Sequence, residues 1–274
     1  MSEKHPIGIF DSGFGGLTIF NEIILKLPEY DFIYLGDNAR SPYGHRSFEV
    51  VYSFTLEAVK KLFDMGCWLV ILACNTASAK SLRTIQQKDL PLINPQKRVL
   101  GILRPSVEVI NLYTKTNHIG IFATEGTVSS ESYPIEINKL HPEILTVQEA
   151  CPMWVPLVEN NEHEGPGADY FIEKHVNNIL NKDKNIDVIL LGCTHYPFLI
   201  PKIKKYLPEH IQLLSQDKIV ANSLKDYLKR HPEIDIKCSK NSIIEYFTTG
   251  SPEDFSKRTE ILLGKKVTAK KAVL

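Results

Sequence analysis

The sequence predicts an α/β protein: two similar doubly wound parallel-sheet domains with the active site in the cleft between them. Two observations carry this expectation. Strand-like and helix-like segments alternate along nearly all 274 residues, the pattern that builds parallel sheets. In addition, two distant stretches read almost as copies, Leu69-Val70-Ile71-Leu72-Ala73-Cys74-Asn75-Thr76 and Val188-Ile189-Leu190-Leu191-Gly192-Cys193-Thr194-His195. Each is an apolar, mostly branched run, then a small residue, a cysteine and polar side chains. Such a run fits a strand buried on both faces of a parallel sheet, although a buried helix segment gives the same pattern. Ligands of open α/β sheets bind outside the carboxyl ends of the strands. Each half of the chain is therefore expected to set one thiol where chemistry takes place. Two matched thiols on one cleft point to proton transfer at both faces of a single carbon.

The elements follow in order. Ile7-Gly8-Ile9-Phe10 reads as a strand, and Asp11-Ser12-Gly13-Phe14-Gly15-Gly16 opens a helix ending near Leu27. Phe32-Ile33-Tyr34-Leu35 is a second strand, followed by a helix over about 47–65 with Val51, Phe54, Val59 and Leu62 at helical spacing. The first cysteine strand completes a βαβαβ run. From Val99 the theme restarts with strands at 99–102 and 118–122, separated by a helix through Val107 and Ile110. A strand at 145–147 and a helix over 168–180 precede the second cysteine strand. Beyond it lie a strand at 211–214, a helix to about Lys229, a strand at 242–247 and a last helix through Ile261. Crossings are expected at Asn94-Pro95-Gln96-Lys97 and near Leu207-Pro208-Glu209, giving one domain from 1–97 plus 209–274 and an inserted domain from 98–208.

Composition narrows the class. Lys plus Arg and Asp plus Glu number 32 each, so the net charge is zero, and there is no basic footprint for nucleic acid or an anionic membrane. The basic cluster Lys265, Lys266, Lys270 and Lys271 is expected to be a solvated, frayed end. No apolar run approaches the ~20 residues of a membrane helix. The opening Met1-Ser2-Glu3-Lys4-His5-Pro6 lacks the apolar core of a signal peptide, so a cytoplasmic location is expected. Five widely spaced cysteines, 67, 74, 151, 193 and 238, fit reduced thiols rather than a disulfide framework.

Chemistry concentrates at strand ends. The glycines of the 11–16 loop let a backbone approach a ligand, and the helix behind it suits an anion. Neither the dinucleotide fingerprint nor a P-loop fits its spacing, and the bland reading is a helix entry capped by Asp11 or Ser12. Gly36-Asp37-Asn38-Ala39-Arg40-Ser41-Pro42-Tyr43-Gly44 is a polar loop that also reads as an ordinary turn. A lone cysteine is most often a small buried hydrophobe, and Cys67, Cys151 and Cys238 are taken as packing or surface residues. Cys74 and Cys193 differ, because each precedes an expected helix N-terminus, where a thiolate is favoured. Zinc on Cys74, Cys193 and His195 lacks any supporting ligand spacing, so no metal is expected.

Together, the 11–16 and 36–44 loops, Ala73-Cys74-Asn75-Thr76-Ala77-Ser78 and Gly192-Cys193-Thr194-His195-Tyr196-Pro197 resemble glutamate racemase, in the aspartate/glutamate racemase superfamily. The resemblance covers nearly the whole chain and includes Ala123-Thr124-Glu125-Gly126-Thr127-Val128 and the segment from Cys151 to Glu159. It implies cofactor-independent racemisation of glutamate by a thiol/thiolate pair, supplying D-glutamate for peptidoglycan precursors. Cys74 and Cys193 match the catalytic thiols, Cys74 serving D-glutamate and Cys193 L-glutamate. Asp11 is implied beside Cys74, and His195 and Glu159 on the Cys193 side. Asp11, Ser12, Pro42, Tyr43, Gly44, Asn75, Thr76, Thr124, Thr127, Thr194 and His195 match substrate-binding positions. Asn38 departs from the threonine common in the family, and the Ser215-Gln216 region lacks an expected acidic residue.

Glutamate is the implied partner, with no cofactor, nucleic acid or membrane; a homodimer is compatible with the sequence, but no residue demands it. The short segment before the first strand leads us to expect no feedback activation through an N-terminal extension. The rival readings are aspartate racemase and a catalytically inactive two-domain binding protein, against which the retention of both thiols counts.

Overall fold

The computed structural model of the protein describes residues 5–274, so most of the segment read above for a signal peptide lies outside the described residues. The strands are β1 (Ile7–Asp11), β2 (Phe32–Gly36), β3 (Leu69–Leu72), β4 (Arg98–Gly101), β5 (His118–Ala123), β6 (Leu145–Ala150), β7 (Val188–Gly192), β8 (Gln212–Leu214), β9 (Ile244–Thr248) and β10 (Ala269–Lys271). They form two sheets, in the orders β10-β9-β2-β1-β3-β4 and β6-β5-β7-β8. Every pairing is parallel. The strings β2-β1-β3-β4 and β6-β5-β7-β8 are the same winding used twice. In each, the chain reverses its direction of travel across the sheet between the first strand and the third, the switch point where ligands sit in open sheets.

The central strands β1, β2, β3 and β7 are buried at every position, which is why their sequences are continuous apolar runs rather than alternating ones. The helix Phe48–Asp64 shows how a flanking element is specified. Ser47 caps it by accepting the Val50 N–H, and Val51, Thr55, Ala58, Val59, Leu62 and Phe63 form its buried stripe. In the second domain Trp154 is fully buried, with ring centroids 4.8 Å from Phe122 and 4.9 Å from Tyr196. That anchor fixes the short helix Trp154–Glu159, whose last residue reaches the site. Replacing so deep an aromatic by alanine costs about 3–5 kcal/mol.

Four expectations need correction. β4 hydrogen-bonds to β3 and so closes the first sheet instead of belonging to the inserted domain. β8 hydrogen-bonds to β7 in the second sheet, not the first. The crossings therefore follow Gly101 and Leu214 rather than 97 and 208. The Lys-rich end is not frayed: β10 pairs with β9, Lys270 ion-pairs with Glu245, and Lys271 donates to the Thr249 carbonyl. Finally, the first helix (Leu17–Lys26) is entered through Gly16 with no side-chain cap, so neither Asp11 nor Ser12 caps it. Among the described residues no helix is long and apolar enough to cross a membrane.

Candidate active site

Between the domains lies a cavity of about 250 Å³, below the ~300–1,000 Å³ of drug-sized sites and so suited to a small ligand. The first domain lines it with Ser12, Pro42, Tyr43, Gly44, Cys74, Asn75 and Thr76, and the second with Thr124, Cys193, Thr194 and His195. Asp11, Thr127 and Glu159 stand behind this lining and are held by it. His45, Glu125, Pro152, Val155 and Pro156 also line the cavity, and the sequence reading assigned them no binding role. The segment holding Val155 and Pro156 was flagged by resemblance, and its apolar residues were the available signal for a wall that excludes water.

The cavity is closed by contact between domains. Gly126 N–H donates to the Gly44 carbonyl at 2.7 Å. A Cβ on Gly44 would lie 2.9 Å from Thr124 Cβ, closer than atoms tolerate, so this approach requires glycine. Thr124 caps its helix through the Thr127 N–H, and its hydroxyl lies 2.9 Å from Thr76 Oγ1 of the other domain. On the first-domain side, Tyr43 donates to Asp37 at 2.5 Å, and Arg40 binds both Asp37 and Glu57 at 2.6 Å. These bonds fix the 37–44 loop. Asn38 takes part only by accepting the Thr248 hydroxyl.

Cys74 is the N-cap of the helix Asn75–Thr84, its Sγ accepting the Ala77 N–H at 3.5 Å and donating to Ser12 Oγ at 3.4 Å. It is 5 % exposed. Burial first, then the charge of Asp11, pushes the thiol up to about 12, against the opposing pull of Ser12 and the Ala77 N–H. Asp11 is fully buried and accepts the Gly13 N–H at 2.8 Å and the Thr194 hydroxyl at 3.5 Å. Burial raises its own pKa, with His195 and the Gly13 and Gly16 amides opposing.

Cys193 is also 5 % exposed; it precedes a helical segment as expected, but His195 and not Cys193 stands at that segment's N-cap, with no side-chain cap bond. After β7 the chain bends into the 3₁₀ turn Tyr196–Leu199. What Cys193 has instead is His195, with Nδ1 3.9 Å from Sγ. His195 Nε2 lies 3.1 Å from Glu159 Oε1, which also accepts the Ser41 hydroxyl at 3.0 Å. Burial would lower the His195 pKa, but the Cys193 sulfur and Glu159 outweigh it and hold the imidazole well above its usual value. Glu159 responds in kind: burial would raise it, yet His195 and Ser41 hold it below the usual carboxylate range. An imidazolium therefore stands against one thiol and a carboxylate behind the other. Cys67, Cys151 and Cys238 are all buried away from this cavity.

A family model for Asp/Glu/hydantoin racemases matches residues 24–223. The glutamate racemase of Roseobacter denitrificans is 36 % identical over 271 residues, which covers 95 % of this chain and 97 % of that protein. The crystal structure of glutamate racemase isoform RacE1 from Bacillus anthracis aligns with a TM-score of 0.89 at 33 % identity, over 99 % of this chain and 98 % of that one. The glutamate racemase of Francisella tularensis, crystallised with D-glutamate, aligns with a TM-score of 0.86 at 29 % identity over the same shares.

Proposed function

The chain belongs to the glutamate racemase family of the Asp/Glu/hydantoin racemases, and we propose that it interconverts L- and D-glutamate by passing the α-proton between Cys193 and Cys74. One observation carries this reading: the two thiols, each following the equivalent strand of its own sheet, line one small cavity.

With L-glutamate bound, the Cys193 thiolate takes the α-proton. The electron pair of the broken C–H bond stays on the α-carbon and delocalises into the α-carboxylate. The Cys74 thiol then gives its proton to the opposite face, which yields D-glutamate and leaves Cys74 as thiolate and Cys193 as thiol. D-glutamate reacts by the same path reversed. His195, held cationic, sets its positive charge 3.9 Å from the Cys193 sulfur. Asp11, by its charge, favours the neutral thiol at Cys74.

An ordinary thiol, with pKa about 8.5, is a weak base for so weak a carbon acid. The remaining help comes from donors already aimed where charge builds and from exclusion of water by the substrate between the two domains. Ser12, Asn75, Thr76, Thr124 and Thr194, with the Tyr43-Gly44 backbone, bind and orient the substrate in this reading. Thr127 supports Thr76 and Thr124 from behind. D-glutamate made in this way would feed peptidoglycan precursor synthesis.

The test is incubation of purified protein with L-glutamate or L-aspartate in D₂O without added cofactor, followed by chiral analysis and mass measurement of the α-position. Glutamate should racemise with one α-deuterium entering the product. Aspartate should be at least about tenfold poorer in kcat/KM, a difference of roughly 1.4 kcal/mol at the transition state. Equal rates would move the assignment to the broader superfamily, and binding without exchange would make the protein a receptor.

A further inference from the structure

Asn75 follows Cys74 directly, lines the cavity and is 2 % exposed. Its carboxamide has an oxygen end and an NH₂ end, and only the NH₂ end serves an anionic ligand. What decides the orientation is a chain of hydrogen bonds that begins at the Ile102 carbonyl, whose donor, Gln216, lies 114 residues further along the chain.

That carbonyl can only accept. Gln216 Nε2 lies 3.2 Å from it, whereas a flipped amide would set oxygen against oxygen there. The same Nε2 lies 2.8 Å from Ser106 Oγ and 2.8 Å from the Tyr133 hydroxyl. That nitrogen has two hydrogens for three oxygens and accepts from none, so the Tyr133 proton is turned away from it and onto Asn75 Oδ1, 2.8 Å away. Burial pushes the Tyr133 pKa far up, so the hydroxyl keeps that proton at any working pH. Asn75 Nδ2 is left buried with no partner among the described residues, which in a native site calls for a ligand or water to satisfy it.

We propose that Gln216 and Tyr133 are positioning residues: a one-way hydrogen-bond relay, anchored at the Ile102 carbonyl, that turns the Asn75 NH₂ group toward a substrate carboxylate. Only the identity of that ligand rests on the function proposed above. The relay starts where the chain first crosses between domains, after β4, and passes through the first residues of the return crossing, after β8. Substrate orientation in the cavity is thereby tied to the domain junction. No local motif marks Tyr133 or Gln216.

The decisive variant is Gln216→Glu. An ionised carboxylate has no hydrogen to give and accepts the hydrogen bond of the Tyr133 hydroxyl. Tyr133 then accepts from Asn75, whose Oδ1 is turned toward the substrate. KM for both enantiomers should rise about tenfold or more, the scale of a lost hydrogen bond to a charged group, while kcat changes less than about threefold. Tyr133→Phe, which deletes one hydroxyl and serves if the first variant folds poorly, should raise KM about threefold. In the double variant the relay is already cut, so the Gln216→Glu penalty should vanish. A KM within twofold of wild type in both single variants overturns the relay, as does a penalty that persists in the Tyr133→Phe background. Wild-type protein that neither binds nor racemises glutamate overturns instead the proposed function, and with it the ligand named here.

Discussion

Cys74 and Cys193 occupy equivalent places in the repeated winding, and their surroundings are opposite in character. Cys74 caps a ten-residue helix and accepts one of its free N–H groups, an arrangement that ordinarily lowers a thiol's pKa. Even so, burial and Asp11 win, and the thiol is driven up to about 12. Cys193 has no helix to cap, but the His195–Glu159 pair supplies it with a full positive charge rather than a partial one. The difference teaches that topology places the thiols while the side chains behind them give each its own charge environment. At Cys74 a half charge at a helix end is outweighed by complete desolvation beside a carboxylate.

The severest test of this asymmetry deletes each thiol in turn. Cys74→Ala or Cys193→Ala should lower racemisation by more than the ~10²–10⁴-fold usual for one acid–base group, since no product forms without both. One base still suffices for elimination from a glutamate analogue carrying a β-leaving group. Cys74→Ala should eliminate from the L-analogue through Cys193, and Cys193→Ala from the D-analogue through Cys74. Elimination by both variants from the same enantiomer would reverse or abolish the assignment of faces. So would a Cys67→Ala variant as damaged as either.

A smaller effect is expected at His195. Because a racemisation has an equilibrium constant of one, any variant lowers kcat/KM equally in the two directions, and asymmetry is hidden from ordinary kinetics. Elimination escapes this constraint. In the Cys74→Ala background, His195→Gln should slow elimination from the L-analogue by about 10²-fold, as expected for loss of a buried charge partner. In the Cys193→Ala background it should change elimination from the D-analogue by less than about fivefold. Equal losses in both backgrounds would show that His195 orders the whole cavity instead of serving Cys193.

Sequence patterning revealed most of this architecture, and where it erred the reason is physical. β1, β2, β3 and β7 are buried on both faces, so their apolar runs are unambiguous. β4 and β8 were recognised as strands and assigned to the wrong sheets, because apolar pattern reports burial and not the neighbour that supplies it. β10 is three residues long with two exposed lysines, and nothing in it registers as a strand. The cavity followed the same rule. Thiols and polar loops at strand ends were legible from pattern, whereas the pairing of Asp11 with one side and His195 with the other came only through the family resemblance. Tyr133, Gln216 and the wall at Val155 and Pro156 were not, since their roles exist only once the domains meet.

Asp11 offers the finest test, because its charge should cost the fold stability while shaping the site. Its carboxyl is fully buried and its pKa is raised, burial outweighing His195 and the two amides. For a group with a raised folded pKa, stability is intact below the unfolded value, near 3.9, and is lost as pH rises through the folded one. Asp11→Asn retains an acceptor for the Gly13 N–H and removes that loss. The variant should therefore match wild type in stability near pH 3.5 and exceed it at pH 7, by about 2–4 °C in Tm if roughly 1 kcal/mol is recovered. The same substitution removes the second-largest cause of the rise at Cys74. Cys74 should consequently ionise more readily, and mass spectrometry should find it alkylated by iodoacetamide several-fold faster than in wild type at pH 8. Alkylation of Cys193 should not accelerate, because Asp11 helps to hold the His195 cation and its loss can only weaken the charge beside that sulfur. A variant that is less stable at pH 7, or in which the two thiols speed up together, would mean that Asp11 acts through the shape of the cavity and not through its charge.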